Sequence, residues 1–386
     1  MTIDLARGSP SATTQGGEGK MEVFNELKEM GHERVLICSN PEVGLQAIIA
    51  VHSTVLGPGL GGTRMYPYKS FDDALVDVLR LSRGMTYKAA AAGLNLGGGK
   101  AVIVGDPKKD KSEALFRAFG RYVGSLNGLY ITAEDVGTDM EDMEVILTET
   151  RWVTGKSPAH GGSGDPSPVT AYGVLQGMKA AATWRWGDGT SLEGRSVAIQ
   201  GLGSVGHHLA KYLMDEGAKI FGSDIDPEAT AYASSEYGVE IVPPGEILEI
   251  DCDILAPCAM GAILNDESIP NLKCKIVAGA ANNQLHKEEE HGLELHKRGI
   301  LYAPDFVINA GGLINVYNEL TGAYNQERAL RMTRTIFLNL LRVFEIAKEQ
   351  GVPTAEAADE VAEERIEKIK ALGTRQWGRL IERNNH

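Results

Sequence analysis

Apolar positions in the first half of the chain follow two rhythms. In residues 71–84, FDDALVDVLRLSRG, Ala74, Leu75, Val78, Leu79 and Leu81 recur at helical spacing and predict one apolar helix face. Asp72 and Asp73 fall in the first turn of that helix, and Arg80 and Arg83 near its end, where the helix dipole favours each charge. Apolar runs at 35–38, 45–51, 101–107 and 129–135 predict strands, the last running into a loop. Residues 112–126 read as a second helix. A Gly/Ser/Pro stretch, HGGSGDPSPVT at 160–170, then breaks the pattern and reads as a hinge, with a helix over 171–185 behind it.

From residue 195 the order becomes strand, glycine turn, helix, strand. RSVAIQ, KIFGSD, CDILAP and KIVAGA predict successive strands of a parallel, doubly wound sheet. Residues 327–351 predict one long amphipathic helix, and 355–371 a closing helix.

Composition narrows the function classes. At roughly 100–200 residues per domain, 386 residues suggest two domains. A net charge of −14 repels phosphate backbones, so no nucleic-acid partner is expected. The apolar run 89–96 is stopped by glycines and Lys100, short of the roughly 18 residues of a membrane helix, so no membrane partner is expected either. The first twenty residues are rich in Ser, Thr and Gly, lack a signal-peptide core and are expected to form a flexible tail. Cys38, Cys252, Cys258 and Cys274 have no metal-type spacing. Reduced thiols, a cytoplasmic location and no metal are expected.

The strongest local motif is Gly201-Leu202-Gly203-Ser204-Val205-Gly206, between an apolar strand and a helix. Gly201 allows a tight turn, Gly203 lets backbone approach a pyrophosphate, and Gly206 lets helix pack on sheet. The helix N-terminus presents N–H groups to an anion. Asp224 ends the next strand, about twenty residues on, with Ile225 beside it. A carboxylate there accepts from a ribose hydroxyl and repels a 2′-phosphate, which favours NAD over NADP.

Two lysines stand in apolar surroundings. Lys88 ends GMTYK and is followed by AAAAG; Lys100 ends LNLGGGK and is followed by AVIV. Burial lowers a lysine pKa, and such an amine serves as a base near neutral pH. Asp135 ends a third apolar run. Periodicity alone does not place these three together.

These segments resemble the glutamate/leucine/phenylalanine/valine dehydrogenase family. The likeness rests on GPGLGGTRM (57–65), GMTYK, LNLGGGK, TAEDVG (132–137), IQGLGSVG (199–206), APCAMG (256–261), GAANNQL (279–285) and APDFVINAGGLINV (303–316). The resemblance implies an α/β enzyme of two domains separated by a cleft. Residues 21–154 plus 353–386 would form a substrate and oligomerisation domain, and 155–352 a Rossmann-type NAD domain. A homo-oligomer is expected.

The resemblance also implies roles. Lys88 would bind the substrate α-carboxylate, Lys100 would activate water, and Asp135 would carry protons to and from the amino nitrogen. Thr170, Asn282 and Asn283 would lie near the nicotinamide, with Cys258 and Ala259 as backbone neighbours of the cofactor. Leu60, Gly61, Met85, Ala133, Leu313 and Val316 would form the side-chain pocket. Glutamate-specific members carry a lysine in the segment that reads GPGLGG here, so Leu60 argues against glutamate. The expected reaction is reversible, NAD-dependent oxidative deamination of L-leucine and similar apolar L-amino acids to 2-oxo acids and ammonia. Leu313 and Tyr317-Asn318-Glu319 resemble tryptophan-accepting relatives, which keeps a phenylalanine or tryptophan dehydrogenase open as the alternative. A non-catalytic NAD-binding regulator is a further alternative, against which Lys88, Lys100 and Asp135 speak.

Overall fold

The computed structural model describes residues 23–187 and 189–373. The expected tail over 1–20, and the last residues, 374–386, lie outside the described residues.

The first half builds strands β1 (Arg34–Asn40), β2 (Leu45–Ser53), β3 (Gly59–Tyr66), β4 (Gly97–Val104) and β5 (Tyr130–Glu134). Their order is β1-β2-β4-β3-β5. β2 pairs antiparallel with both β1 and β4, and β3 pairs parallel with both β4 and β5. Helices α1 (Val23–Met30), α2 (Phe71–Ala91), α3 (Glu113–Ser125) and α4 (Met140–Leu147) belong to this half. α2 covers one face, burying Ala74, Leu75, Val78 and Leu79 against Ile48, Ala50 and Val102. α3 and α4 cover the other, where Phe116, Phe119, Val123 and Ile146 meet Ile49, Ala101 and Ile103. Burying each large side chain of this kind contributes about 1.5–3 kcal/mol.

The second half opens with α5 (Ser167–Trp186) and continues through β6 (Ser196–Gln200), α6 (Ser204–Asp215), β7 (Lys219–Ser223), α7 (Pro227–Tyr237), β8 (Glu240–Ile241), β9 (Ile254–Pro257), β10 (Ile276–Val277), α8 (Glu288–Lys297) and β11 (Leu301–Tyr302). The strands form a parallel sheet in the order β11-β10-β9-β6-β7-β8. That is the doubly wound order, and its direction reverses between β6 and β9. Ligands of such sheets sit in the crevice beyond the strand ends at that reversal. The chain closes with α9 (Asp305–Ile308), α10 (Gly311–Leu320), α11 (Gln326–Thr333), α12 (Thr335–Gln350) and α13 (Thr354–Lys370). α13 returns to α2: the Arg365 guanidinium donates to the carbonyls of Ala90, Gly93 and Leu94 at the end of that helix.

The structure differs from the sequence pattern in several places. The helix predicted over 71–84 runs on to Ala91, so Lys88 lies in its last turn rather than after it. The strand predicted from 101 begins at Gly97, so Lys100 lies within it. The helix predicted over 171–185 starts at Ser167, inside the Gly/Ser/Pro stretch. The helix predicted over 327–351 is two helices that part at Arg334. Thr333 and Thr335 flank that point and return their hydroxyls to the carbonyls of Ala329 and Met332, a bonding pattern that bends helices.

β3 had no strand signal, because glycine is poor in strands. Its glycines are there for close approach. A Cβ on Gly61 would lie 1.8 Å from the Gly99 carbonyl oxygen, and one on Gly62 would lie 2.3 Å from that of Glu134.

Candidate functional site

Three neighbouring strands deliver the charged centre. Lys100 stands on β4, Asp135 follows β5, and Arg64 lies on β3 between them. Lys100 is 6% exposed, and its Nζ meets Asp135 Oδ2 at 2.8 Å. Arg64 Nε donates to the same oxygen at 3.1 Å. The loop behind Asp135 is tied down as well: its backbone N–H donates to Thr138 Oγ1, which donates to the Thr63 carbonyl.

The glycines before Lys100 let other elements close in. A Cβ on Gly98 would meet Thr86 Oγ1 of α2 at 2.2 Å, and one on Gly99 would meet the Tyr130 ring at 2.6 Å. Lys88, on the last turn of α2, is thereby brought within electrostatic reach of Lys100 and Asp135.

Charge states follow from these contacts. Burial raises the Asp135 carboxyl, but Lys100 and then Arg64 outweigh burial and hold it below the usual carboxylate range. Burial pulls the Lys88 ammonium down to about 8; Asp305 opposes the fall and Lys100 adds to it. Lys88 is therefore a cation at neutral pH and loses its proton as pH passes about 8.

The apolar positions expected to form the side-chain pocket are buried or half-buried. Leu60 is 2% exposed and shares one cluster with Leu313, and Met85 and Val316 pack against that cluster. Ala133 is buried on β5 and Gly61 on β3. Of the departures after Val316, Asn318 Oδ1 accepts from Arg328 Nε at 2.5 Å. Glu319 Oε1 accepts from the backbone N–H groups of Gly155 and Ser163. These two residues build the α10–α11 junction and fasten the connecting loop.

The glycine turn forms at the sheet reversal. Gly201 has φ +99°, and a Cβ on it would lie 2.6 Å from the Ala259 Cβ. A Cβ on Gly206 would lie 2.0 Å from the Gly201 carbonyl oxygen, so only glycine lets α6, which begins with Ser204 and Val205, start here. Gly203 faces open space, with no atom within 4 Å of an added Cβ. Asp224 Oδ2 accepts from the Leu202 N–H at 2.7 Å, which binds the end of β7 to the turn, and Ile225 beside it is 92% exposed. The Cys258 N–H donates to the Gln200 carbonyl, so Cys258 and Ala259 stand across from the turn. Among the described residues, no group of three or more His, Cys, Asp or Glu side chains is placed to hold a metal ion.

The two halves of the site meet through α9 and α10. Thr170 sits in the first turn of α5 against Gly311 and Gly312 of α10, the helix that also carries Leu313 and Val316. Asp305 at the start of α9 accepts from the Gln284 N–H at 3.0 Å and feels the charge of Lys88. Asn309 donates to Asn282 Oδ1 at 2.8 Å, while its own Oδ1 is buried without a partner. Asn283 stands at φ +50°. Asp305, Asn309 and Arg64 were passed over in the sequence. All three lie inside segments that carry the resemblance, but a polar residue within an apolar motif gives no spacing signal of its own.

The comparisons with known proteins decide the family. The model for the Glu/Leu/Phe/Val dehydrogenase dimerisation domain matches residues 32–152. That for glutamate/leucine/phenylalanine/valine dehydrogenase matches 161–227 and 223–372. The chain belongs to the glutamate/leucine/phenylalanine/valine dehydrogenase family. It is an amino-acid dehydrogenase. Leucine dehydrogenase from Thermoactinomyces intermedius is 59% identical over 350 residues, covering 91% of this chain and 95% of the relative. L-tryptophan dehydrogenase from Nostoc punctiforme is 50% identical over 350 residues, covering 91% of this chain and 98% of the relative. The crystal structure of L-tryptophan dehydrogenase from Nostoc punctiforme superposes with a TM-score of 0.80 at 48% identity, covering 90% of this chain and 99% of that one. No helix among the described residues is long and apolar enough to cross a membrane.

Proposed function

We propose that this dehydrogenase carries out the reversible, NAD-dependent oxidative deamination of L-leucine and similar apolar L-amino acids. The observation that carries the reading is the partly buried Lys100–Asp135 pair on strands next to β3, whose Leu60 belongs to the apolar cluster that holds Leu313 and against which Val316 packs.

Lys88 takes the α-carboxylate as a cation at neutral pH. Asp135, held ionised, accepts a proton from the α-ammonium and so frees the nitrogen lone pair. NAD, when bound, accepts the hydride from the α-carbon. Lys100 accepts a proton from water as that water adds to the imino carbon. Asp135 then returns its proton to the nitrogen and, ionised again, takes the hydroxyl proton as the carbon–nitrogen bond breaks, which leaves ammonia and the 2-oxo acid. Fixed side chains arranged in this way remove much of the entropic cost of bringing the partners together.

The cofactor fits the second sheet on two observations. The open space at Gly203 lies where a Cβ would invade a pyrophosphate site, and the buried Oδ1 of Asn309 lacks a donor beside Asn282. Gly201, Gly203, Ser204, Val205 and Gly206 would hold the pyrophosphate, and Asp224 and Ile225 the ribose side. Thr170, Cys258, Ala259, Asn282 and Asn283 would hold the nicotinamide side. Asp224 would set a carboxylate beside the ribose, which disfavours the 2′-phosphate of NADP. A homo-oligomer is supported by the dimerisation description of the family model over 32–152.

Leucine is favoured because Asn318 and Glu319 serve packing and the connecting loop, leaving Leu313 and Tyr317 as the features shared with tryptophan-accepting relatives. The test is NADH formation against all common L-amino acids with NAD and with NADP. Leucine is expected to have the highest kcat/KM, with valine, isoleucine and methionine within about 10–200-fold, since one methylene contributes about 1–3 kcal/mol. Glutamate is expected to be inert and NADP poor. Phenylalanine or tryptophan ahead of leucine by tenfold would overturn the substrate reading.

The Lys88 shift gives a second expectation. A 2-oxo acid that competes with substrate carries the carboxylate without the titrating amine. Its dissociation constant is expected to be flat below pH 8 and to rise toward tenfold per pH unit above it, as Lys88 loses its charge. Isothermal titration from pH 6.5 to 9.5 reads this directly. A constant that stays flat to pH 9.5 would remove Lys88 from carboxylate binding.

A further inference from the structure

The GPGLGGTRM segment contains one charged side chain to which the proposed chemistry gives no task. Arg64 bridges two carboxylates. Its Nε donates to Asp135 Oδ2 at 3.1 Å and its Nη1 to Asp77 Oδ2 at 2.9 Å. Asp77 Oδ2 also accepts from the Tyr68 hydroxyl at 2.5 Å. Asp77 lies on α2, the helix that carries Lys88.

Guanidinium geometry gives this chain its meaning. The donors of arginine lie in one rigid plane, so the bond to Asp77 fixes the direction in which Nε–H points. Lys100 and Arg64 then meet at a single oxygen of Asp135. Two donors on one oxygen fix the rotation of the carboxyl group and turn its other oxygen to the opposite side. A lone lysine on a flexible stem would leave that rotation loose.

We infer that Arg64, held by Asp77 and Tyr68, is a positioning residue for Asp135, fixing the orientation of its carboxylate and supplying the second cation beside it. The inference rests on the reading of Asp135 as the proton carrier. The groups facing Asp135 are Lys100 from β4, Arg64 from β3, Lys88 from α2 and Tyr130 from β5; those facing Arg64 are Asp77 from α2 and Tyr68 beyond β3. With burial raising the Asp135 carboxyl, removal of one of its two close cations moves its titration upward. The acid side of the kcat/KM profile, where Asp135 must be ionised to accept a proton, moves to higher pH with it.

The test compares Arg64→Gln, Arg64→Lys, Asp77→Asn and Asp135→Asn in the full chain, measuring kcat, KM and pH profiles with the preferred amino acid. Cofactor binding, read by fluorescence, reports folding. Arg64→Gln is expected to lose about 10–100-fold in kcat with KM within about threefold, because a small misplacement of a reacting group has this cost. Its acid limb should rise by about half a pH unit or more. Arg64→Lys keeps the charge but not the fork, so it should restore the limb while recovering only part of kcat. Should Arg64→Gln fail to fold, Asp77→Asn carries the test, since it leaves every partner of Asp135 in place; about a 3–10-fold loss of kcat at unchanged KM is expected. A folded Arg64→Gln enzyme with the wild-type acid limb and kcat within threefold overturns the inference, and so does an Asp77→Asn enzyme with unchanged kcat. If Asp135→Asn is itself active, the proton-carrier reading falls and the inference falls with it. An inactive Asp135→Asn beside a normal Arg64→Gln removes the positioning role alone.

Discussion

Replacing Asp135 by asparagine is expected to lower kcat by about 10³-fold while the protein still folds and binds its cofactor. The amide keeps the size of the carboxylate but cannot accept a proton. Without that acceptor the α-ammonium stays protonated, and no lone pair is available to form the imine. The change also leaves Lys100 and Arg64 facing each other without the carboxylate that both now contact. Separating a partly buried pair leaves a charge uncompensated, so a lower Tm is expected beside the lost turnover. NADH formation at saturating substrate, with thermal unfolding on the same sample, measures both. Retention of more than a tenth of wild-type kcat would remove Asp135 from proton transfer.

The second large effect is expected at the glycine turn. In Gly206→Ala the new methyl would lie 2.0 Å from the Gly201 carbonyl oxygen, which is backbone and cannot swing aside. Gly201 cannot retreat either, because Ala259 fills the space behind it. The turn must deform, and the N–H groups that start α6 move with it. Cofactor affinity should fall by about 100-fold, close to 2.7 kcal/mol. Gly203→Ala is the matching control: its methyl meets no protein atom within 4 Å, so Tm should hold. Its cofactor affinity should still drop at least tenfold, because the methyl occupies ligand space. Equal affinity for all three proteins would take the pyrophosphate away from this turn.

Much of this arrangement could be read before any coordinates. Four strands of the second sheet were legible because they are apolar runs, β6 leading into the glycine turn and β7 into Asp224; β8 and β11, of two residues each, carry no such run. The first sheet was less so, and its middle strand was missed, because Gly59, Gly61 and Gly62 answer to neighbouring backbones rather than to a propensity. The extent of α2 was hidden for a related reason: residues 84–91 have no polar face, since strand packs on one side of them and α13 on the other. Lys88, Lys100 and Asp135 stood out singly by their apolar neighbours. That they share one centre depends on β4 and β5 lying on either side of β3, a pairing of distant segments that no local pattern encodes. Asp305 shows the same limit, since its meeting with Lys88 joins residues far apart in the chain.

β3 has a consequence for how substrate choice can drift in this family. Leu60 and Arg64 are four residues apart on one strand, one in the proposed apolar wall and the other bonded to Asp135, the proposed proton acceptor. Shifting that strand to widen the pocket would drag the guanidinium off its carboxylate. On the proposed pocket, α10 has no such link to Asp135, so changes at Leu313 and Val316 would leave the guanidinium in place. New side-chain preferences are therefore reached more safely by redesigning the helix wall than the strand wall.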